Sequence, residues 1–261
     1  MSTIQRLAGE IGPREGTSQA FHQAAGEIGD LLAGYGYTIS EVEVPVPAGN
    51  SWGVDVPSGN SMNVIADPPR FDPLRPHVVV GAHLDTVPQA LGAEDNASGV
   101  ASMVELARVV ASDPPVIPVR FIAFGAEEPR GDGDALHHFG SQHYVAALTP
   151  EQTETTLAMV SLDRVGVRGE ELPICTGGTG TTGIRDALVT AAESAGVPTD
   201  PCADNRASDH WSFEKADIPS ARLGSIPFAG YHSADDVPAV VDERQLSWVG
   251  AAMVAWLDTL G

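Results

Sequence analysis

The chain has 261 residues, with 14 basic side chains against 35 acidic ones and a formal net charge of −21 at pH 7. A field of that sign repels phosphate backbones and anionic lipid, which argues against nucleic acid and membrane surfaces as partners. A hydrophobic share of 43% beside a charged share of only 19%, where roughly 25% is usual, argues against disorder and supplies a sizeable core.

The first residues carry no apolar run behind a basic head, and no stretch reaches the ~18 uninterrupted apolar residues of a membrane span. A cytoplasmic chain is the expectation. Short β-branched runs then alternate with Ala-rich helical stretches, the pattern of β-α-β units around a parallel sheet. The helix expected at 18–34 is followed by strands at 37–44, 62–66 and 77–82, a helix at 97–111 and a strand at 119–124. A helix at 141–148, a strand at 157–163, a helix at 182–196, a strand at 218–223 and a final helix at 243–260 complete the series. The last helix has Leu246, Val249, Ala252, Met253 and Leu257 at helical spacing, a face suited to packing on the sheet. Pro-rich breaks fall between elements and no linker divides the chain, so 1–261 reads as one α/β domain with a mixed, mostly parallel central sheet flanked by helices. Cys175 and Cys202 are too few for a disulfide framework and lie in no Cys-x-x-Cys pair, so they are expected as separate thiols.

The chemistry concentrates where apolar runs stop. The run from His77 ends in His83-Leu84-Asp85, and in such sheets ligands bind beyond the carboxyl ends of the strands. His83 and Asp85 are two apart and point to one side, so Asp85 can accept from the ring nitrogen that His83 does not give to a metal. Read alone, the pair serves equally as a loop cap. Asp95, in Glu94-Asp95-Asn96, stands where the N-cap of the next helix is expected. The run from Val119 ends in Glu127-Glu128, adjacent carboxylates that repel unless a cation or a proton intervenes. The run from Leu157 ends in Asp163, and Tyr231-His232-Ser233 follows near the end of the chain. Successive strands ending in His, Glu and Asp suit a divalent cation with mixed imidazole and carboxylate ligands, zinc included. His83 and His232 argue against calcium, which prefers oxygen alone. Three carboxylates and a hydroxide would balance two divalent cations.

In order and spacing these motifs resemble the M28 family of co-catalytic zinc aminopeptidases, from Gly12-Pro13-Arg14 through to His232. The resemblance implies a zinc-peptidase fold and two zinc ions. His83 and Asp163 would hold one ion, Glu128 and His232 the other, and Asp95 would bridge them. It further implies Glu127 as general base, Asp85 as the partner of His83 and Tyr231 as a holder of the oxyanion, while Ser208-Asp209-His210 is similar to another motif near the cleft. The implied substrate is a peptide or aminoacyl compound with a free N-terminus, cut at its first peptide bond. Where the family has a short Gly-Leu link, this chain carries 129–139, which reads as a loop insertion beside the site. His137 and His138 are expected there as surface histidines, and His22, His77 and His143 as ordinary ones. Two rivals are a glutaminyl-peptide cyclotransferase with a single zinc and a peptide-binding relative without catalysis. The first carries tryptophan where this chain has Tyr231, and the second would have lost ligands that are all present here.

Overall fold

The computed structural model describes residues 1–179 and 181–261. Its centre is strand β5 (His77–His83), whose seven residues are all buried, as a Val-rich strand covered on both faces must be. β5 lies between β6 (Val119–Phe124) and β7 (Thr156–Leu162) and runs parallel to both. Outside β6 come β4 (Gly59–Asp67) and then β1 (Thr38–Val46), each antiparallel to its inner neighbour. Outside β7 come β10 (Ser220–Leu223), β8 (Leu172–Cys175) and β9 (Thr199–Cys202), giving an eight-stranded mixed sheet. Strands β2 (Gly49–Ser51) and β3 (Val54–Val56) form a separate hairpin.

Alternation along β5 sends Val78 and Val80 into the larger apolar cluster and Val79 into a smaller one on the opposite face. The larger cluster is completed by α1 (Ser2–Ile4, running on through Gln5–Ile11), α2 (Gln19–Gly34), α3 (Gly99–Ser112), α6 (Gly183–Ser194) and α8 (Glu243–Asp258). On the other face lie α4 (Phe139–Ala146) and α7 (His210–Glu214), which contribute Tyr144 and Phe213. A short α5 (Pro150–Thr155), opened by a Thr149 cap, leads into β7. Of the apolar face expected of the last helix, α8 buries Val249, Ala252, Met253 and Leu257, with Leu246 half-buried and Trp256 added.

Two expectations are corrected. Asp95 does not cap α3, which starts at Gly99 behind Ser98; residues 93–98 form an irregular helical turn of their own. Gly99 lies so close to the Leu162 carbonyl that a Cβ would collide with it, and this close approach brings the 93–98 turn against the end of β7. Cys175 and Cys202 are not separate thiols but form a disulfide, with Cα atoms 4.5 Å apart. They meet because β8 and β9 pair in parallel with these two residues in register, and both strands are too short to stand out in the sequence. Among the described residues, no helix is long and apolar enough to cross a membrane.

Candidate metal centre

The three parallel central strands end side by side, and each delivers its polar residue at that end. His83 closes β5, Glu127 and Glu128 follow β6, and Asp163 follows β7. The 93–98 turn adds Asp95, and the loop before α8 adds His232. All six are buried. His83, Glu127 and Asp163 form one group whose ligand atoms lie within 4.8 Å of each other, and Asp95, Glu128 and His232 form a second.

Asp95 joins the two groups. One carboxylate oxygen, Oδ1, is 3.1 Å from His83 Nε2, and the other, Oδ2, is 3.0 Å from His232 Nε2. Asp163 Oδ1 is 3.6 Å from His83 Nε2 and Glu128 Oε1 is 3.3 Å from His232 Nε2. Asp163 Oδ1 and Glu128 Oε1 are buried without a hydrogen-bond partner. Buried polar atoms without partners are uncommon enough to need a reason. Mixed imidazole and carboxylate donors around such atoms are the donor set that zinc and similar divalent ions take.

Electrostatics show what the site asks for. Burial opposes charge on His83 and His232, yet the surrounding carboxylates raise His83 well above its ordinary value and His232 to about 10. Burial and the neighbouring acids push Glu127 up to about 8 against the pull of His83, and Glu128 up to about 8 against that of His232. Burial also acts to raise Asp163, but Arg222 and His83 hold it at about 2. The acids are crowded beyond what two imidazoles neutralise, so the position calls for further positive charge.

The frame is more elaborate than the sequence suggested. Asp85 lies 3.6 Å from His83 Nδ1, beyond hydrogen-bonding range. Its oxygens instead accept the backbone N–H groups of Glu127 and Glu128 at 3.0 and 3.1 Å, so Asp85 fixes the two glutamates more directly than the histidine. Arg222, which sequence reasoning missed, is buried with Nη2 3.2 Å from Asp163 Oδ2. Asp236 accepts the N–H groups of Glu94 and Asp95, and its place beside Tyr231-His232 was the signal available for it. Arg14, also fully buried, donates to the carbonyls of Leu7, Gly12, Leu84, Leu91 and Gly92 and so ties the segment after β5 to the N-terminal helix. In Ser208-Asp209-His210, Ser208 pairs with Ser161 at 2.7 Å and His210 Nε2 with the Asn205 carbonyl at 2.7 Å. Asp209 is buried with neither oxygen partnered.

The rim is aromatic. The Tyr231 ring stacks on His232 with centroids 3.6 Å apart, its other neighbours being the Arg164 guanidinium at 3.9 Å and the Trp52 ring at 5.9 Å. Trp52 itself lies 4.4 Å from the His232 ring. His138 is not the surface residue expected of the 129–139 loop, because it is 3% exposed and faces Glu127. His137, by contrast, is only half-buried.

Residues 63–257 match Peptidase family M28. The chain is 37% identical over 187 residues to "Aminopeptidase YwaD" of Bacillus subtilis, covering 68% of this chain and 40% of that protein. It is 29% identical over 190 residues to the "Probable lipoprotein aminopeptidase LpqL" of Mycobacterium tuberculosis, covering 67% of this chain and 35% of that one. The chain therefore spans well under half the length of these curated relatives. Among solved structures, BSAP, "a zinc aminopeptidase from Bacillus subtilis", superposes with a TM-score of 0.83 at 21% identity over 98% of this chain and 92% of that one. A Porphyromonas gingivalis glutaminyl cyclase gives 0.83 at 20% identity over 99% and 96%. At those identities the likeness is one of fold, whereas the family match covers most of the chain. The protein belongs to peptidase family M28.

Proposed function

We propose that the chain is a zinc-dependent aminopeptidase that hydrolyses the first peptide bond of substrates with a free N-terminus. The observation that carries this reading is the division of one buried cluster into two His/carboxylate groups with an oxygen of Asp95 directed at each. His83 and Asp163 would hold one zinc, Glu128 and His232 the other, and Asp95 both. Bound there, two divalent cations supply Lewis acidity, polarising the scissile carbonyl and lowering the pKa of a shared water.

The chain's own groups do the rest. Glu127, held through its N–H by Asp85, takes a proton from the attacking water and returns it to the leaving amine. The Tyr231 hydroxyl donates to the developing oxyanion. Glu127, with Asp163 beside it, would receive the substrate's terminal ammonium, which favours cleavage at a chain end over cleavage within a chain.

Two measurements test the reading. Glu127→Ala should keep its metal while kcat falls by about 10²–10⁴-fold; a metal-replete variant turning over aminoacyl-anilides at the wild-type rate would overturn the role of Glu127. Chelation should abolish activity and zinc should restore it, with two ions bound per chain. One ion per chain together with pyroglutamate formation from N-terminal glutamine would favour the cyclotransferase reading instead. The Cys175–Cys202 disulfide favours an oxidising compartment over the cytoplasm expected from sequence. Thiol alkylation of unreduced protein from its native compartment checks this, since two free thiols would return the chain to the cytoplasm.

A further inference from the structure

We infer that His138 is a positioning residue for Glu127: its Nε2, 3.1 Å from one carboxylate oxygen, serves to hold that oxygen and so to turn the other toward the side where His83 and Asp163 would hold a cation. The inference rests on the proposed role of Glu127 as base and adds a residue to it.

The loop that supplies His138 leaves the chain directly after Glu128 and returns to the same place. It is closed by Arg130 N–H to the Leu136 carbonyl at 2.8 Å, and on its return His138 N–H donates to the Glu127 carbonyl at 2.8 Å and Phe139 N–H to that of Ala126 at 2.9 Å. His138 is thus tied to Glu127 through the backbone before its ring is considered. Its φ of +54° lies in the left-handed region, which non-glycine residues adopt uncommonly and histidine more readily than most. The turn coincides with an inward, buried ring.

The two oxygens of Glu127 have different neighbours. Oε1 is 3.1 Å from His138 Nε2, and Oε2 is 4.0 Å from His83 Nε2 on the cation side. Neither His138 nitrogen is yet in an aligned hydrogen bond, and such bonds in an unliganded site are often poorly aligned until substrate binds. A buried imidazole left without partners is destabilising, so a ring kept here for packing alone would be better replaced by an aliphatic side chain. The loop is also pinned from outside: Arg130 donates to Pro47 and Pro57 carbonyls and pairs with Glu15, while Trp211 Nε1 donates to Asp134 at 2.8 Å. That bracing holds the ring in place.

The test compares His138→Leu, which keeps bulk without a donor, with His138→Gln, whose amide nitrogen reaches where Nε2 lies. Both are assayed for kcat, KM, bound zinc and melting temperature. We expect His138→Leu to lose about 10–100-fold in kcat, the range of outer partners at metal sites, with KM and zinc content unchanged and His138→Gln within a few-fold of wild type. In a Glu127→Ala background, His138→Leu should cost nothing further. Wild-type kcat in His138→Leu, equal losses in the Leu and Gln variants, or a full additional loss in the Glu127→Ala background would each overturn the inference. If His138→Leu fails to fold, His138→Gln against the shorter His138→Asn reads the same question, with activity expected only of the former. Wild-type turnover by Glu127→Ala would instead sink the base assignment itself, so the two failures are distinguishable.

Discussion

The buried floor of the site and its aromatic rim obey different rules. On the floor each acid is fixed by a second group: Asp163 by Arg222, Asp95 through the Asp236 contacts to its backbone, and Glu127 and Glu128 by Asp85. At the rim, Trp52 is 55% exposed and Tyr231 37% exposed, the first held by edge-on ring contacts and the second by stacking on His232 and the Arg164 guanidinium. Chemistry that depends on ion geometry needs the first kind of support; a surface that meets varied peptide side chains can use the second. Substitutions in the floor should therefore cost stability or turnover, and those in the rim should cost substrate affinity, except at Tyr231, whose proposed oxyanion contact puts its loss in turnover.

The largest expected loss of stability follows from Arg222→Met. Removing one partner of a buried ion pair leaves Asp163 uncompensated, at about 3–5 kcal/mol. Denaturant unfolding of chelator-treated protein measures it, and added zinc should recover much of the loss because a cation replaces the missing charge. A loss unaffected by zinc would mean that Asp163 does not face the metal.

A smaller effect is written in pH. Burial, with a contribution from Arg222, pushes His210 down to about 3, whereas an unfolded histidine titrates near 6.5. Between these values the unfolded chain binds a proton that the folded chain refuses, so this contribution is complete above about 6.5 and is lost as pH falls toward 3, at up to about 1.4 kcal/mol per pH unit. His210→Gln, which can still donate toward the Asn205 carbonyl, should remove that share of the slope while leaving stability at pH 8 nearly unchanged. Identical slopes for the two proteins would show that His210 is not buried as a neutral ring.

Much of the floor was legible because a strand that stops in a charged residue leaves a mark in sequence: His83, Glu127, Glu128 and Asp163 each end an apolar run. The central strands were legible as apolar runs and α8 by its helical spacing of apolar residues. Arg222 was hidden because an arginine inside a buried strand is recognised only when its partner is known, and that partner lies 59 residues away. The Cys175–Cys202 pairing was hidden by the brevity of β8 and β9. His138 was misplaced because a run rich in Gly, Asp and His reads as solvated, while its two ends in fact close onto Ala126 and Glu127.

The rim gives the smallest and most selective prediction. Trp52 sits in the β2–β3 hairpin, with its own φ of +50° and a following Gly53 at +89°, so the turn rather than the core presents its ring. The hairpin is joined to the 129–139 loop by Asn50 N–H to the Arg130 carbonyl at 3.1 Å, which gives a half-exposed tryptophan a fixed position beside His232. An aromatic contact of this kind contributes about 0.5–1.5 kcal/mol beyond area burial. Trp52→Ala should therefore raise KM about two- to tenfold for substrates with bulky apolar side chains and leave kcat, zinc content and melting temperature close to wild type. An equal fall in kcat for every substrate would mean that Trp52 supports His232 and belongs to the floor, and the division drawn between the two regions would have to move outward.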